Sequence, residues 1–359
     1  MCFLQRIALC LDILSLPEYN NRVFTERIFS MTMKRWLQSA PSLHKAMPIL
    51  SYPGAQLTGE SVNDLVHSGE LQIKCMQAVA ARWDTLAAVS LMDLSVEAEA
   101  FGSPVLFSDD EIPTVTAAII GEGDDPDALA VPKVGAGRTG EYIAAIAGAA
   151  KCIDRPIFAG SIGPFSLAGR LLDFSEIMVL CYEEPDLVHA VLDKATAFLI
   201  EYNGALRDAG ASGLLMAEPA AGLLSPALIA EFSTPYVRRI IQAIETDEFA
   251  VIYHNCGNTI QLIGSILETG ARAFHFGNAI DLAEMLELVP AEYTVFGNVD
   301  PAGEFRNGTP ESVREATMRV LERCAAHKNF VISSGCDIPP SAPVENVDAF
   351  FAAVEEFYK

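Results

Sequence analysis

The sequence predicts a closed (β/α)8 TIM barrel with an N-terminal helical extension, and three observations carry that expectation. Eight short, nearly continuous apolar runs recur along the chain, the pattern of parallel strands covered on both faces. Amphipathic helical patterns fall between them. No Gly-x-Gly-x-x-Gly follows the first strand and no Walker-type loop occurs, so the alternative, an open doubly wound dinucleotide fold, lacks its usual sequence support.

The elements follow in order. MCFLQRIALCLDILSL at the N-terminus is apolar but holds Arg6 and Asp12, and it falls short of the roughly 18–20 apolar residues that span a bilayer. We read residues 1–33 as a helical extension and 34–359 as one barrel domain. The expected strands are MPILSY (47–52), LAAVSLMD (86–93), PIFAGS (156–161), GLLMAE (213–218), FAVIYHN (249–255), AFHFG (273–277), YTVFGN (293–298) and NFVISSG (329–335). Helical patterns cover 59–84, 140–150 and 175–204. Ser225-Pro226 caps another, which Pro235 kinks or divides. Thr309-Pro310 opens the helix carrying Val313 and Leu321, and Asn258-Thr259 and Asp281 open shorter ones. Residues 95–135 form an excursion between the second and third strands, on the face where barrels build substrate pockets.

Composition excludes several classes. A net charge of −23 and a pI near 4.5 disfavour binding to nucleic acid or to an anionic membrane surface. Eight scattered cysteines are too few for a disulfide scaffold and predict reduced thiols in the cytoplasm. Cys75, Cys152 and Cys181 lie in apolar helical patterns and read as core.

The chemistry gathers at strand ends. His254 and Cys256 lie in Tyr-His-Asn-Cys-Gly past the fifth expected strand, and Cys336 lies in Ser-Ser-Gly-Cys-Asp past the eighth. One imidazole and two thiolates make a zinc site with an open fourth position. The local pattern leaves a second reading open, buried cysteines beside a core histidine. In a barrel the same mouth would receive Asp93 and Glu97 past strand two, Glu218 at the end of strand four, and Asn298 and Asp300 past strand seven. Glu218 is a candidate fourth ligand, a supporting acceptor or a helix-start charge. Gly163 stands in a turn small enough for a close approach, Asn258 caps or positions the metal loop, and His275 reads as a core or mouth histidine.

MDLSVEAEAFG (92–102), GSIGPFSLAG (160–169), YHNCGNT (253–259), FGNVDPAGEFRNGTPESV (296–313) and SSGCDIPPSAPVENVDAF (333–350) resemble the uroporphyrinogen decarboxylase superfamily, over about residues 34–358. Within it the chain is similar to the corrinoid-dependent methyltransferases. The resemblance implies that His254, Cys256 and Cys336 bind Zn2+. It also implies methylcobalamin on a corrinoid protein as methyl donor, and a thiol such as coenzyme M, or tetrahydrofolate, as acceptor. The decarboxylase branch is the competing reading. Its N-terminal arginine-rich segment is replaced here by Leu50-Ser51-Tyr52-Pro53-Gly54-Ala55-Gln56, which offers no cation for a polycarboxylate substrate. Asp93 matches that branch's substrate-contacting aspartate, and Cys336 stands where the branch has a histidine.

Zinc favours the thiolate form of a bound thiol. Two anionic ligands neutralise a dication and preserve sulfur nucleophilicity, so transfer is expected over hydrolysis. A sulfonate-bearing acceptor needs a cationic subsite, for which Arg170, Arg272 and Arg306 are candidates by residue type alone.

Overall fold

The computed structural model describes residues 31–359. Seven parallel strands form the main sheet: β1 (Ala88–Val89), β4 (Ile157–Ile162), β5 (Gly213–Ala217), β6 (Ala250–Asn255), β7 (Ala273–Phe276), β8 (Thr294–Val299) and β9 (Phe330–Ser334), in that order. Within the 95–135 excursion, β2 (Val105–Leu106) and β3 (Thr114–Val115) make a separate antiparallel pair. Every residue of β4 to β9 is buried, as expected of strands covered by helices outside and side chains inside.

The closed eight-stranded barrel is not formed. The sheet is curled and open, and the expected first strand, 47–52, is where it fails to close. On one side Met47 N–H donates to the Ile332 carbonyl, and on the other Leu86 N–H donates to Ala46. No ladder follows. Pro48 has no N–H to give, and Ile49 N–H goes to the Ser334 hydroxyl rather than to a backbone carbonyl. Ser333 Oγ likewise takes the Met47 carbonyl. Side-chain hydroxyls thus replace the backbone pairing that would have closed the sheet.

The helices divide more finely than the periodicity implies. The 59–84 pattern becomes Val62–Val66 and Gly69–Arg82, because the Ser68 hydroxyl accepts from Leu71 N–H and starts a new helix. The 175–204 pattern becomes Phe174–Glu183 and Pro185–Asp208, divided at Pro185, which suits a first-turn position and no interior one. The helix opened by Ser225 ends at Phe232, and Thr234–Ile244 follows with Pro235 in its first turn. Cys152 is exposed, not core: its helix ends at Ala149 and the chain turns before reaching it. Cys75 and Cys181 are buried. The expected extension over 1–33 lies, except for its last three residues, outside the described residues.

Candidate metal centre

His254 lies near the end of β6, Cys256 just past it, and Cys336 just past β9. Their donor atoms lie within 4.8 Å of one another. Cys336 Sγ stands 3.5 Å from His254 Nε2. On a tetrahedral zinc, a Cys sulfur and a His nitrogen bound at their usual distances are separated by about 3.5 Å. The donor types suit that ion, and the His254–Cys336 separation matches its spacing.

Neighbouring residues hold this loop in place. Asn255 Oδ1 accepts from Gly257 N–H at 2.8 Å, and its Nδ2 donates to the Glu218 carbonyl at 2.6 Å. Gly277 backs directly onto the loop: a Cβ there would stand 2.5 Å from Cys256 Cα. Gly222 leaves the same small clearance against Asn255. His254 and His275 are register partners in β6 and β7, so their side chains share a sheet face. Their Nδ1 atoms are 2.8 Å apart, and His275 Nε2 is 2.8 Å from Ser333 Oγ. The sequence reading left His275 as a core or mouth histidine and passed over Asn255 and Ser333. Strand register supplies the His254–His275 contact, and a single sequence does not display it.

The two thiols are electrostatically unequal. A hydrogen bond from Cys336, with His254 close by, lowers the Cys256 thiol well below its ordinary value despite burial. Cys336, which gives that hydrogen bond and is half-buried, is held well above it. The pair thus favours one shared negative charge, and a divalent ion would accommodate the second. Asp337, next to Cys336, is half-buried, and its buried Oδ2 has no hydrogen-bond partner.

A second buried cluster surrounds Asp93. Its Oδ1 accepts from Ser95 N–H and Ser95 Oγ, and its Oδ2 accepts from Arg138 Nη1 and Tyr142 OH. Four donors fill the acceptor capacity of a carboxylate. Arg138 also donates from Nε to Glu99 at 2.6 Å and from Nη2 to Ser95 at 2.8 Å. Arg138 carries no motif that marks it in the sequence. Its only available signal was a cation beside an acid-rich excursion.

Glu97, Glu218, Asn298 and Asp300 have structural partners. Glu97 accepts from Ser161 Oγ and Ile162 N–H through Oε1, while its buried Oε2 has none; burial pushes its carboxyl up to about 7. Glu218 is outside the metal cluster. It accepts from Phe165 and Ser166 N–H at the start of helix Pro164–Leu172 and from Ser233 Oγ, and burial pushes it up to about 6. Gly163 makes room for that carboxylate, since a Cβ there would stand 2.3 Å from Glu218 Oε2. Asn298 Nδ2 donates to the Gly277 and Ile280 carbonyls, tying β8 to the loop behind Cys256. Asp300 caps the turn that begins at Pro301. Asn258 is exposed. Asn298 and Asp300 also line a cavity of about 420 Å³ with Arg319 and Arg323, but none of the three metal-ligand candidates lines it.

Arg272 pairs with Glu245 and Arg306 with Glu111 at the surface. Arg170 differs: it lies over the Phe174 ring, and its buried Nε has no hydrogen-bond partner. Among the described residues no helix is long and apolar enough to cross a membrane.

The sequence profile of the Uroporphyrinogen decarboxylase (URO-D) family matches residues 26–357, and the chain belongs to that family. It is similar to both functional branches. Methylcobamide:CoM methyltransferase MtbA of Methanosarcina acetivorans is 27% identical over 270 residues, covering 74% of this chain and 78% of the relative. Uroporphyrinogen decarboxylase of Neisseria meningitidis serogroup C is 28% identical over 318 residues, covering 85% and 88%. A solved methyltransferase from Methanosarcina mazei shares the fold, with a TM-score of 0.81 and 24% identity over 92% of this chain and 100% of that one.

Proposed function

We propose that this chain is a zinc-dependent methyltransferase that moves a methyl group from methylcobalamin, carried by a corrinoid protein, to a small thiol. The observation that carries the reading is the convergence of His254, Cys256 and Cys336 donor atoms within 4.8 Å. The similarity to a methylcobamide:CoM methyltransferase supports it. Coenzyme M is accordingly the first acceptor to test, with tetrahydrofolate as the nitrogen alternative.

His254, Cys256 and Cys336 would hold the ion, and bound zinc would keep the acceptor sulfur as a thiolate. The protein's part is positional. Asn255 fixes the loop that carries His254 and Cys256, and Gly277 and Gly222 let the neighbouring backbones close on it. In the transfer a sulfur–carbon bond forms as the donor's methyl bond breaks, and the electron pair leaves with the donor. No tetrahedral carbonyl intermediate arises, so the site needs no oxyanion hole. Of the three candidate arginines, Arg170 alone has an unpartnered buried Nε, while Arg272 and Arg306 are paired at the surface, so it is the first to substitute in testing for an anion subsite.

The Asp93 cluster argues against the decarboxylase alternative. A carboxylate already accepting four hydrogen bonds has little capacity left for pyrrole N–H groups. The test pairs metal content of wild type and Cys336→Ala with methylcobalamin loss in the presence of a thiol panel. Near-stoichiometric zinc and thiol-dependent demethylation, both lost in the variant, are expected. Full activity in zinc-free Cys336→Ala protein would refute the mechanism.

A further inference from the structure

The hydrogen bonds behind His254 determine which of its nitrogens carries the proton. Ser333 Oγ donates to the Met47 carbonyl at 2.7 Å. A hydroxyl has one hydrogen, so toward His275 Nε2, 2.8 Å away, Ser333 can only accept. His275 Nε2 therefore bears a hydrogen. At 2.8 Å the two facing Nδ1 atoms share a single proton. If His275 supplied it, that ring would be a buried imidazolium, and among the described residues its ring hydrogen-bonds only His254 and Ser333, neither of them a carboxylate. An uncompensated buried cation is costly. His254 must then be the donor. A second contact agrees: His254 Nδ1 is also 3.3 Å from the His275 carbonyl, which can only accept. With the hydrogen on Nδ1, the lone pair of His254 lies on Nε2, the atom that stands 3.5 Å from Cys336 Sγ.

We propose that His275, oriented by Ser333, is a positioning residue that locks His254 as an Nε2 metal ligand. The inference rests on the metal-centre reading above but not on the identity of the methyl donor or acceptor. Ligating histidines are generally held through their second nitrogen by a carboxylate, a carbonyl or water. Here a neutral imidazole, itself fixed by a serine, does that work, and the adjacent carbonyl reinforces it. The register of β6 and β7 pairs His254 with His275, and Ser333 reaches the same ring from β9, beyond β8 and two residues past the row of His275.

The first experiment is nitrogen NMR on metal-free wild-type protein labelled only at its six histidines, at neutral pH. His254 is expected as the Nδ1–H tautomer with an unprotonated Nε2, and His275 with hydrogen on Nε2. An Nε2–H tautomer at His254 would overturn the proposal. The second experiment measures zinc affinity by chelator competition. His275→Leu removes the acceptor and should weaken zinc by about 10- to 100-fold. His275→Gln keeps an acceptor and a donor on one planar group and should stay within a few-fold of wild type. Wild-type affinity in the Leu variant, or equal losses in the two variants, would reduce His275 to a packing residue. If His275→Leu fails to fold, the wild-type tautomer still decides the matter. None of these readouts involves a corrinoid or a thiol, so a failed methyl transfer and a failed relay are separate results.

Discussion

Glu97→Gln should change how the stability of this protein depends on pH. Glu97 is fully buried, and its Oε2 has no hydrogen-bond partner. Burial is the main reason its carboxyl is pushed from 4.5 up to about 7, with the charge of Asp93 adding to the effect. The folded state therefore holds the proton more tightly than the unfolded chain. Stability from the neutral carboxyl is complete below about 4.5 and is lost as pH rises through about 7. A shift of that size corresponds to about 3 kcal/mol. Glutamine keeps the oxygen that accepts from Ser161 and Ile162 but cannot ionise. Relative to the variant, wild type should lose about 3 kcal/mol between about pH 5 and about pH 8. Urea unfolding with linear extrapolation, run on both proteins at both pH values, measures the difference and cancels the other titrating groups. Parallel pH dependences would refute the argument and mean that Glu97 is solvated or charged in the folded protein.

Two further outcomes are expected, beside the loss of zinc and activity in Cys336→Ala. Arg138→Met leaves Asp93 buried without its cation and should cost about 3–5 kcal/mol in chemical denaturation; a loss under about 1 kcal/mol would mean that the cluster is not a working buried ion pair. Gly277→Ala puts a methyl group against Cys256 Cα and should weaken zinc by at least about tenfold with all three ligands present. Wild-type zinc affinity in that variant, measured by chelator competition, would show that the loop can shift without penalty.

Much of the secondary structure was legible in the sequence, because hydrophobic runs and capping residues act locally. Seven of the eight apolar runs contain strands of the main sheet. Asp281 and Thr309 cap the helices they were expected to open. Misreadings came where two local signals compete. Apolar periodicity continues through Ser68 and Pro185, but a hydroxyl cap and a missing N–H divide both helices. The run at 47–52 has strand composition, yet Pro48 and the hydroxyls of Ser333 and Ser334 keep it out of the ladder.

For the site, the residue types and their strand-end positions were readable. His254, Cys256 and Cys336 are visible as candidate donors by residue type at two strand ends, and the fold brings the distant Cys336 to the other two. Their partners are not visible in this way. Asp93 looked available until the fold paired it with Arg138, and of the three readings open for Glu218 the packing favours the helix-start charge. His275 looked inert until register placed it behind His254. The chain alone determined which groups are able to bind an ion, since that follows from side-chain chemistry and strand ends. Only the tertiary structure decided which of them are free to do so, because a buried polar group is taken up by whatever partner the packing of distant strands brings within about 3 Å.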